Sequence, residues 1–448
     1  MPQPPSAATS RDEPVIRDRG DACPGALRLH AADDGFLARV RIPGGLLGGA
    51  AARLLAEAAD RLGDGHLDLT SRGNAQLRGL GAGCGGELAA LLDRAGLLPA
   101  PTHERVRNIV ASPLTGLDRR ELPDVAPWVP ALDRLLCASG AAAGLSGRFL
   151  FALDDGRGDV TSLAADVTLL AWDADRALLW TAGAREGLLV PAPHAPRAAL
   201  VAAGYFLDAA RAAGTRAWRV GELPPGHALT AAGLGARLAA EGVPASPEPV
   251  PEHPRAAPPG PGVVTGPGPT SALSVLAPLG RLTTAQWLRL AALTGRMRLT
   301  PWRGVVVPGL PARTAAAALA GLADAGLVTA PDDPWRSVTA CTGRPGCARS
   351  HADVRADARA AVGAAVTGAA RGPLAVHWSG CERRCGHPRG TAWVDLVATP
   401  QGYDLAAPGR DPLHGVPPDA LATALADARR TPQNPAPAPR VPQAPYTP

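Results

Sequence analysis

The sequence predicts an α+β fold in which an internal repeat is joined to two longer α/β segments. Three observations carry that expectation. One succession of strands and helices occurs twice, the two copies share their turn chemistry, and a Pro- and Gly-rich stretch lies between them. The first copy opens with FLARVRI, where Phe36, Ala38, Val40 and Ile42 fall on one strand face. A loop with Gly44 and Gly45 leads into the helical run GGAAARLLAEAADRL. The strand HLDLT, the turn SRGN, the strand AQLRGL and the helix GELAALLDRAG complete the unit.

The second copy starts at SALSVLAPLGRL, and a capping Thr opens its helix TTAQWLRLAALTG. The strand MRLT, the turn PWRG, the strand VVVPGL and a helix from Arg313 to Gly326 follow. Both copies therefore read β-α-β-β-α. Both place Leu-Thr, an Arg and a Gly at the same turn, aligning Arg72 and Gly73 with Arg303 and Gly304. Two such halves complete one open-faced sheet, as in ferredoxin-like folds.

The expected organisation is a disordered N-terminus (1–20), a ferredoxin-like half-domain (21–98) and an α/β lobe (99–241). A Pro/Gly-rich linker (242–268), the second half-domain (269–332), a cysteine-bearing lobe (333–430) and a disordered Pro-rich tail (431–448) follow. Strands are expected at VRNIVAS, RFLFALD and ALLWTAG in the first lobe, with an Ala-rich helix near 196–213. The second lobe is expected to hold an Ala-rich helix from about Ser350, strands LAVHWS and TAWVDLVAT, and a last helix near Pro418–Arg430.

Hydrophobic residues make up 46% of the chain but aromatics only 4%, so Leu, Val and Ala must fill the cores. All 45 basic residues are Arg, whose planar fork grips carboxylates in a way an ammonium cannot. The formal charge of +5 admits a nucleic-acid partner, but no basic run with interleaved aromatics supports one. No stretch nears the ~20 apolar residues of a membrane span. The opening MPQPPSAATSRDEPVIRDRG lacks the apolar core of a signal peptide. A cytoplasmic location is expected, where grouped cysteines hold metal more often than they form disulfides.

Of seven cysteines, Cys23, Cys84 and Cys137 are scattered and are expected to be small buried core residues. The others form two pairs, Cys341-TGRPG-Cys347 and Cys381-ERR-Cys385. Gly343, Pro345 and Gly346 bend the first loop, and Gly380 and Gly386 bracket the second pair. Such loops bring backbone N–H groups and Arg344, Arg383 and Arg384 close to sulfur, which suits an anionic cluster. A [4Fe–4S] cluster and a structural zinc site both remain open. The first spacing exceeds the short knuckles of zinc ribbons, which favours the cluster.

The C-x5-C…C-x3-C arrangement, with GCERRCGHP at the second pair, resembles the siroheme-dependent nitrite/sulfite reductase family. LTSRGNAQLRGL, carrying Arg72 and Gln76, VRNIVASPLTG, carrying Arg107 and Asn108, and LSGRFLFALDDG, carrying Arg148, resemble further family segments in the same order. The resemblance implies two ferredoxin-like half-domains and two pseudo-symmetric α/β sulfite-reductase-like lobes, with a tetrapyrrole in a central cleft. True reductases of the family carry two lysines on the strand that here reads Arg148-Phe149-Leu150, so the apolar Leu150 leaves the small-anion site incomplete.

The opening ACPGALRLH, the RIPGG loop and LDDGRGDV resemble an oxygen-dependent branch. That branch hydroxylates precorrin-3A and closes a γ-lactone in aerobic cobalamin synthesis. It implies a [4Fe–4S] cluster on Cys341, Cys347, Cys381 and Cys385 and a mononuclear non-haem iron. O2 would be a co-substrate, and electrons would come from a reduced nicotinamide through a separate reductase or from ferredoxin. A siroheme-dependent sulfite or nitrite reductase is the alternative.

Substrate carboxylates call for several cationic forks in one cavity. Arg72, Arg78, Arg105, Arg107 and Arg148 are the candidates, with Gln76 and Asn108 as hydrogen-bonding partners. No compact ligand motif for a second iron stands out. His377, His387, His103, Glu104 and the acids Asp154, Asp155 and Asp159 are weak candidates.

Overall fold

A computed structural model describes residues 21, 23–252, 257–366, 374–388 and 393–429. The ends expected to be disordered, 1–20 and 431–448, lie outside the described residues. The chain divides into two compact units, residues 1–331 and 332–448.

In the first unit, β1 (His30–Ala32) and β2 (Gly35–Val40) form a hairpin, and the short β3 (Leu46–Gly48) leads into α1 (Gly49–Leu62). β4 (His66–Leu69), β5 (Ala75–Leu80) and α2 (Gly85–Arg94) close the half. α1 buries Ala52, Leu55, Ala56 and Ala59, a single stripe at helical spacing. The lobe that follows contains β6 (Ile109–Ala111), α3 (Trp128–Ala138), β7 (Phe151–Asp154), β8 (Val167–Ala171), β9 (Arg176–Thr181) and β10 (Glu186–Pro191). It ends with α4 (Ala195–Ala212), α5 (Ala231–Ala240) and β11 (Ser246–Pro249). The second half consists of β12 (Gly262–Thr265), β13 (Thr270–Leu276), β14 (Arg281–Thr283), α6 (Thr284–Thr294), β15 (Arg296–Leu299), β16 (Gly304–Pro311) and α7 (Ala312–Asp324).

Each half lends a strand to the other. β3 pairs with β15, and β14 pairs with β4, giving sheets ordered β1-β2-β5-β4-β14 and β12-β13-β16-β15-β3. The chain leaves its own sheet through a pair of left-handed residues in each copy, Gly44 and Gly45 (φ 58° and 69°) and Leu279 and Gly280 (φ 55° and 75°). A Cβ at Gly45 would collide with the Leu299 carbonyl, so that corner admits only Gly. The repeat is therefore β-β-β-α-β-β-α rather than β-α-β-β-α, because the leading hairpin strand and the three-residue exchanged strand are too short to show an apolar period.

The turn after the third residue pair also aligns differently from the expectation. Thr70 N–H donates to Asn74 O and Thr300 N–H to Gly304 O, both at 2.9 Å, so the two turns superimpose from their threonines. The left-handed position is Gly73 (φ 66°) in one and Arg303 (φ 61°) in the other. Arg72 thus corresponds to Trp302, and Arg303 to Gly73.

The two halves share one core. Trp287 of α6 is fully buried, and its Nε1–H donates to the Ala52 carbonyl of α1 at 2.8 Å. A capping box of Thr283 and Gln286 starts α6. Trp287→Ala removes the largest side chain at this helix contact and is expected to destabilise the first unit by about 3–5 kcal/mol in a urea melt. A loss under about 1 kcal/mol would mean that the core does not depend on this contact.

The stretch 242–268 is not a plain connector. β11 extends the lobe's sheet at β10, and β12 extends the second half at β13. Pro247 and Pro249 are tolerated because β11 is an edge strand.

The second unit contains β17 (Val338–Ala340), α8 (Val354–Val366), β18 (Ala375–Ser379), β19 (Trp393–Thr399), β20 (Gly402–Ala406), β21 (Leu413–Val416) and α9 (Leu421–Ala428). Its sheet runs β17-β18-β19-β20-β21, parallel across the first two pairings and antiparallel across the last two. The first lobe repeats this scheme as β6-β7-β8-β9-β10, again with two parallel and then two antiparallel pairings. The two lobes are pseudo-symmetric in topology.

Candidate functional site

Two constellations stand out, one in each unit. In the second unit, Cys341 follows directly on β17 and Cys381 lies two residues beyond β18, at the C-terminal ends of adjacent parallel strands. Open α/β sheets bind ligands at such ends. The Gly380 N–H donates to Cys341 Sγ at 3.1 Å. A Cβ at Gly380 would collide with the Ser350 hydroxyl, so the close approach requires Gly. Burial pushes the Cys341 thiol up, amide donors from Gly380 and Gly343 oppose this, and the charges of Cys385 and Cys347 push it further. Three of the four sulfurs thus share one electrostatic neighbourhood, and a cationic centre would relieve their repulsion. Cys381 is buried and Cys385 exposed.

The donor set therefore fits a thiolate-held cluster. Among the described residues no three His, Cys, Asp or Glu side chains, these cysteines included, gather closely enough to hold a single ion. The expected mononuclear iron finds no support on that account. His103 is satisfied by Thr102 Oγ1 and the Ser139 carbonyl, both at 2.9 Å, and Glu104 by the Ala26 N–H at 2.7 Å. His377 contacts Thr339 Oγ1 at 2.8 Å, and its ring meets that of His387 edge-on at 5.1 Å. His387 Nε2 lies 2.7 Å from an Asp395 oxygen, a close contact without hydrogen-bond alignment. A cavity of about 580 Å³ opens nearby, lined by Glu382, Asp395 and Asp404 together with His351, Arg384 and His414. That mixture suits a polycarboxylate poorly.

The acidic loop is occupied by its own partners. Asp154 accepts four backbone N–H groups, from Gly156, Gly158, Val160 and Thr161, and Asp155 is gripped by Arg157. Asp159 Oδ1 accepts from Ser112 Oγ at 2.7 Å and from the Val160 N–H at 2.8 Å, while its Oδ2 is buried without a partner. Burial raises Asp159 to about 7, with Asp154 and Asp155 adding to the rise and Ser112 and Arg157 opposing it. An acid raised in the fold holds its proton after the unfolded chain has released it. Stability then falls as pH rises from about 4 to about 7 and is level above. Asp159→Asn is expected to remove this slope, gaining on the order of a few kcal/mol over the parent at pH 8 and little at pH 4. Denaturant midpoints across that range check it; parallel pH profiles would contradict it.

The second constellation lies in the first unit, where the arginines divide into two groups. Arg78 is held by both oxygens of Asp34 at 2.8 and 2.9 Å, and Arg107 by both oxygens of Asp133 at 2.7 Å. These forks are neutralised inside the scaffold. Each expected substrate-binding fork already has its two-pronged carboxylate partner.

The other group surrounds the Gly147 carbonyl, which accepts from Arg72 Nη1 at 3.1 Å and from Asn108 Nδ2 at 2.9 Å. Arg72 is pushed down to about 10, chiefly by burial and then by Arg219 and Arg41. Arg148 is exposed, with its guanidinium 4.6 Å above the Trp218 ring. Gln76 accepts from Arg39 at 3.0 Å, and Arg105 donates to the Asp21 carbonyl at 3.0 Å. Among the described residues neither Arg72 nor Arg148 has a carboxylate within ion-pair reach. This corner carries surplus positive charge.

Leu150 is buried in a small apolar cluster with Val110, Ala152, Val160 and Ala165, against which Trp302 packs. It faces no anion. The sequence reading missed Arg39, Arg41 and Arg219 and assigned Cys23, Cys84 and Cys137 to the core. All three cysteines are in fact partly exposed. The strand alternation that buries Ala38, Val40 and Ile42 puts Arg39 and Arg41 together on the other face, a signal that was there to be read.

Sheet order, exchanged strands and paired lobes define a duplicated oxidoreductase scaffold, and comparison with known proteins agrees. Residues 29–93 and 266–325 match the nitrite/sulfite reductase ferredoxin-like half domain. A ferredoxin–nitrite reductase of Synechococcus elongatus is 30% identical over 394 residues, 79% of this chain and 74% of that protein. The chain belongs to the nitrite and sulfite reductase family, and it is an oxidoreductase. A precorrin-3B synthase of Sinorhizobium is 28% identical over 402 residues, 88% of this chain and 84% of that protein. The solved structure of the NirA protein of Mycobacterium tuberculosis has the same fold, with a TM-score of 0.69 at 21% identity over 89% of this chain and 82% of that one.

Proposed function

We propose that the chain is a precorrin-3B synthase, hydroxylating precorrin-3A with O2 and forming a γ-lactone in aerobic cobalamin synthesis. The single observation that carries this reading is the corner of Arg72 and Arg148, two guanidiniums with no carboxylate within ion-pair reach among the described residues, beside a strand whose Leu150 is buried in apolar surroundings. A macrocycle with many carboxylates supplies the missing counter-charges. A small anion needs a second cation where Leu150 stands. The Sinorhizobium relative, similar over 88% of this chain, bears the same activity in its name.

Arg72 and Arg148 bind substrate carboxylates through charge-assisted N–H donors. Arg105 and Gln76 flank them, and Asn108 fixes the Gly147 carbonyl that orients Arg72. Trp218 holds the Arg148 guanidinium over its face. Cys341, Cys347, Cys381 and Cys385 would hold a [4Fe–4S] cluster, which supplies electrons singly when bound. The amides of Gly380 and Gly343 stabilise negative charge on Cys341. No step is assigned to a mononuclear iron. Electrons come from an external donor, a ferredoxin or a nicotinamide-dependent reductase, and the reaction takes place in the cytoplasm.

The test is incubation of the cluster-loaded protein with precorrin-3A, a reductant and isotopically labelled dioxygen. Mass analysis is expected to find labelled oxygen from O2 in the product. The siroheme-dependent alternative, which the nitrite reductase relative favours, predicts no labelled product and reduction of sulfite or nitrite instead.

A further inference from the structure

Asp21 and residues 23–26 lie beside the arginine corner, held by hydrogen bonds at Asp21 and at Ala26. The Asp21 carboxylate accepts from the Cys23 N–H at 2.9 Å, Ser146 Oγ at 2.8 Å and the Gly147 N–H at 2.6 Å. The Ala26 N–H donates to Glu104 at 2.7 Å. Cys23 is thereby fixed with its sulfur 3.4 Å from Arg41 Nη2, 3.7 Å from Arg39 Nη1 and 3.6 Å from the Gly147 carbonyl. Arg41 is only 2% exposed, and its Nη1 is buried with no hydrogen-bond partner among the described residues. Arg39 Nε is in the same state. Neither guanidinium has a carboxylate within ion-pair reach among the described residues. A buried cation without a counter-ion is unstable, so the head of Arg41 beside Cys23 marks a place made for negative charge.

We propose that Cys23 is a nucleophilic thiol in an anion-steering corner, reactive toward soft electrophiles that carry a carboxylate. Arg39 and the exposed Arg148, next to Gly147, attract the carboxylate, and the guanidiniums of Arg41 and Arg39 stand 3.4 and 3.7 Å from the sulfur that attacks carbon. In the step, sulfur forms a bond to the electrophilic carbon and the bond from that carbon to its leaving group breaks. The leaving group departs with the bonding pair, and the thiol proton passes to water. Burial raises the Cys84 thiol, and at Cys137 burial and Asp133 outweigh the Arg107 guanidinium, which is itself held by Asp133. The proposal does not depend on which tetrapyrrole reaction the chain performs.

The test compares iodoacetate with iodoacetamide on the native full chain, followed by peptide mass mapping. Iodoacetate is expected to modify Cys23 roughly tenfold faster than Cys84 or Cys137. The ratio of iodoacetate to iodoacetamide rates at Cys23 should exceed that of free glutathione, and added salt should lower it. Arg39→Gln should lower the iodoacetate rate several-fold and the iodoacetamide rate less. Labelling of Cys84 or Cys137 first, or a salt-independent ratio equal to that of glutathione, overturns the proposal. Because the salt dependence is read on the unaltered chain, a misfolded variant leaves the test intact.

Discussion

Cys341→Ser is expected to abolish the broad visible absorbance of the cluster and, with it, turnover. The serine hydroxyl is a hard donor with a much higher pKa than a thiol, so it neither replaces the thiolate nor matches its affinity for iron. The Gly380 amide would lose the sulfur it donates to at 3.1 Å. The same outcome is expected for Cys347→Ser, Cys381→Ser and Cys385→Ser, since a cubane with three protein ligands is labile. Iron and sulfide analysis after anaerobic reconstitution checks it. A full complement of about four irons per chain in all four variants would remove these residues as the ligand set. The far-ultraviolet circular dichroism should change little, because the substitution deletes no core volume.

Arg148→Ala is expected to weaken tetrapyrrole binding by about 1.5–3 kcal/mol, roughly a tenfold to hundredfold loss. The guanidinium is exposed and rests on Trp218 without a carboxylate partner, so its removal should leave stability nearly unchanged. Arg78→Ala is the contrast. It strands Asp34 beside a lost two-pronged partner and should register in the denaturation midpoint rather than in affinity. Anaerobic titration with precorrin-3A distinguishes the two. Equal affinities for the parent and the Arg148 variant would exclude that residue from the pocket.

Much of the scaffold was legible because its elements are periodic. The helix expected near 196–213 is α4, and the segments RFLFALD and ALLWTAG contain β7 and β9. The repeat was legible too, but its strand exchange was not. β3 and β14 have three residues each, too few for alternation to show, and their partners lie far away in sequence. α3 went unread because Pro127 and Pro130 sit at its first turn, where proline is tolerated but looks like a break. β11 went unread for a similar reason, its prolines being those of an edge strand.

The site divides along the same line. The cysteine pairs were legible as motifs because each lies within one loop. Which arginines are free was not, because that depends on partners such as Asp34 for Arg78 and Asp133 for Arg107, 44 and 26 residues away in sequence. The turn alignment shows the limit of matching letters. Arg303 resembles Arg72 in sequence yet takes the left-handed position of Gly73, and Trp302 occupies the place of Arg72.

Four thiolates of the second unit are proposed to hold an iron–sulfur cluster, in a chain proposed to act on a tetrapyrrole substrate rather than on a small anion at siroheme. The visible and electron paramagnetic resonance spectra of anaerobically purified protein, taken with its iron and sulfide content, test it most directly. A reducible [4Fe–4S] signal dependent on Cys341, Cys347, Cys381 and Cys385 is expected, with no siroheme band. A stoichiometric siroheme spectrum that responds to sulfite or nitrite would contradict it.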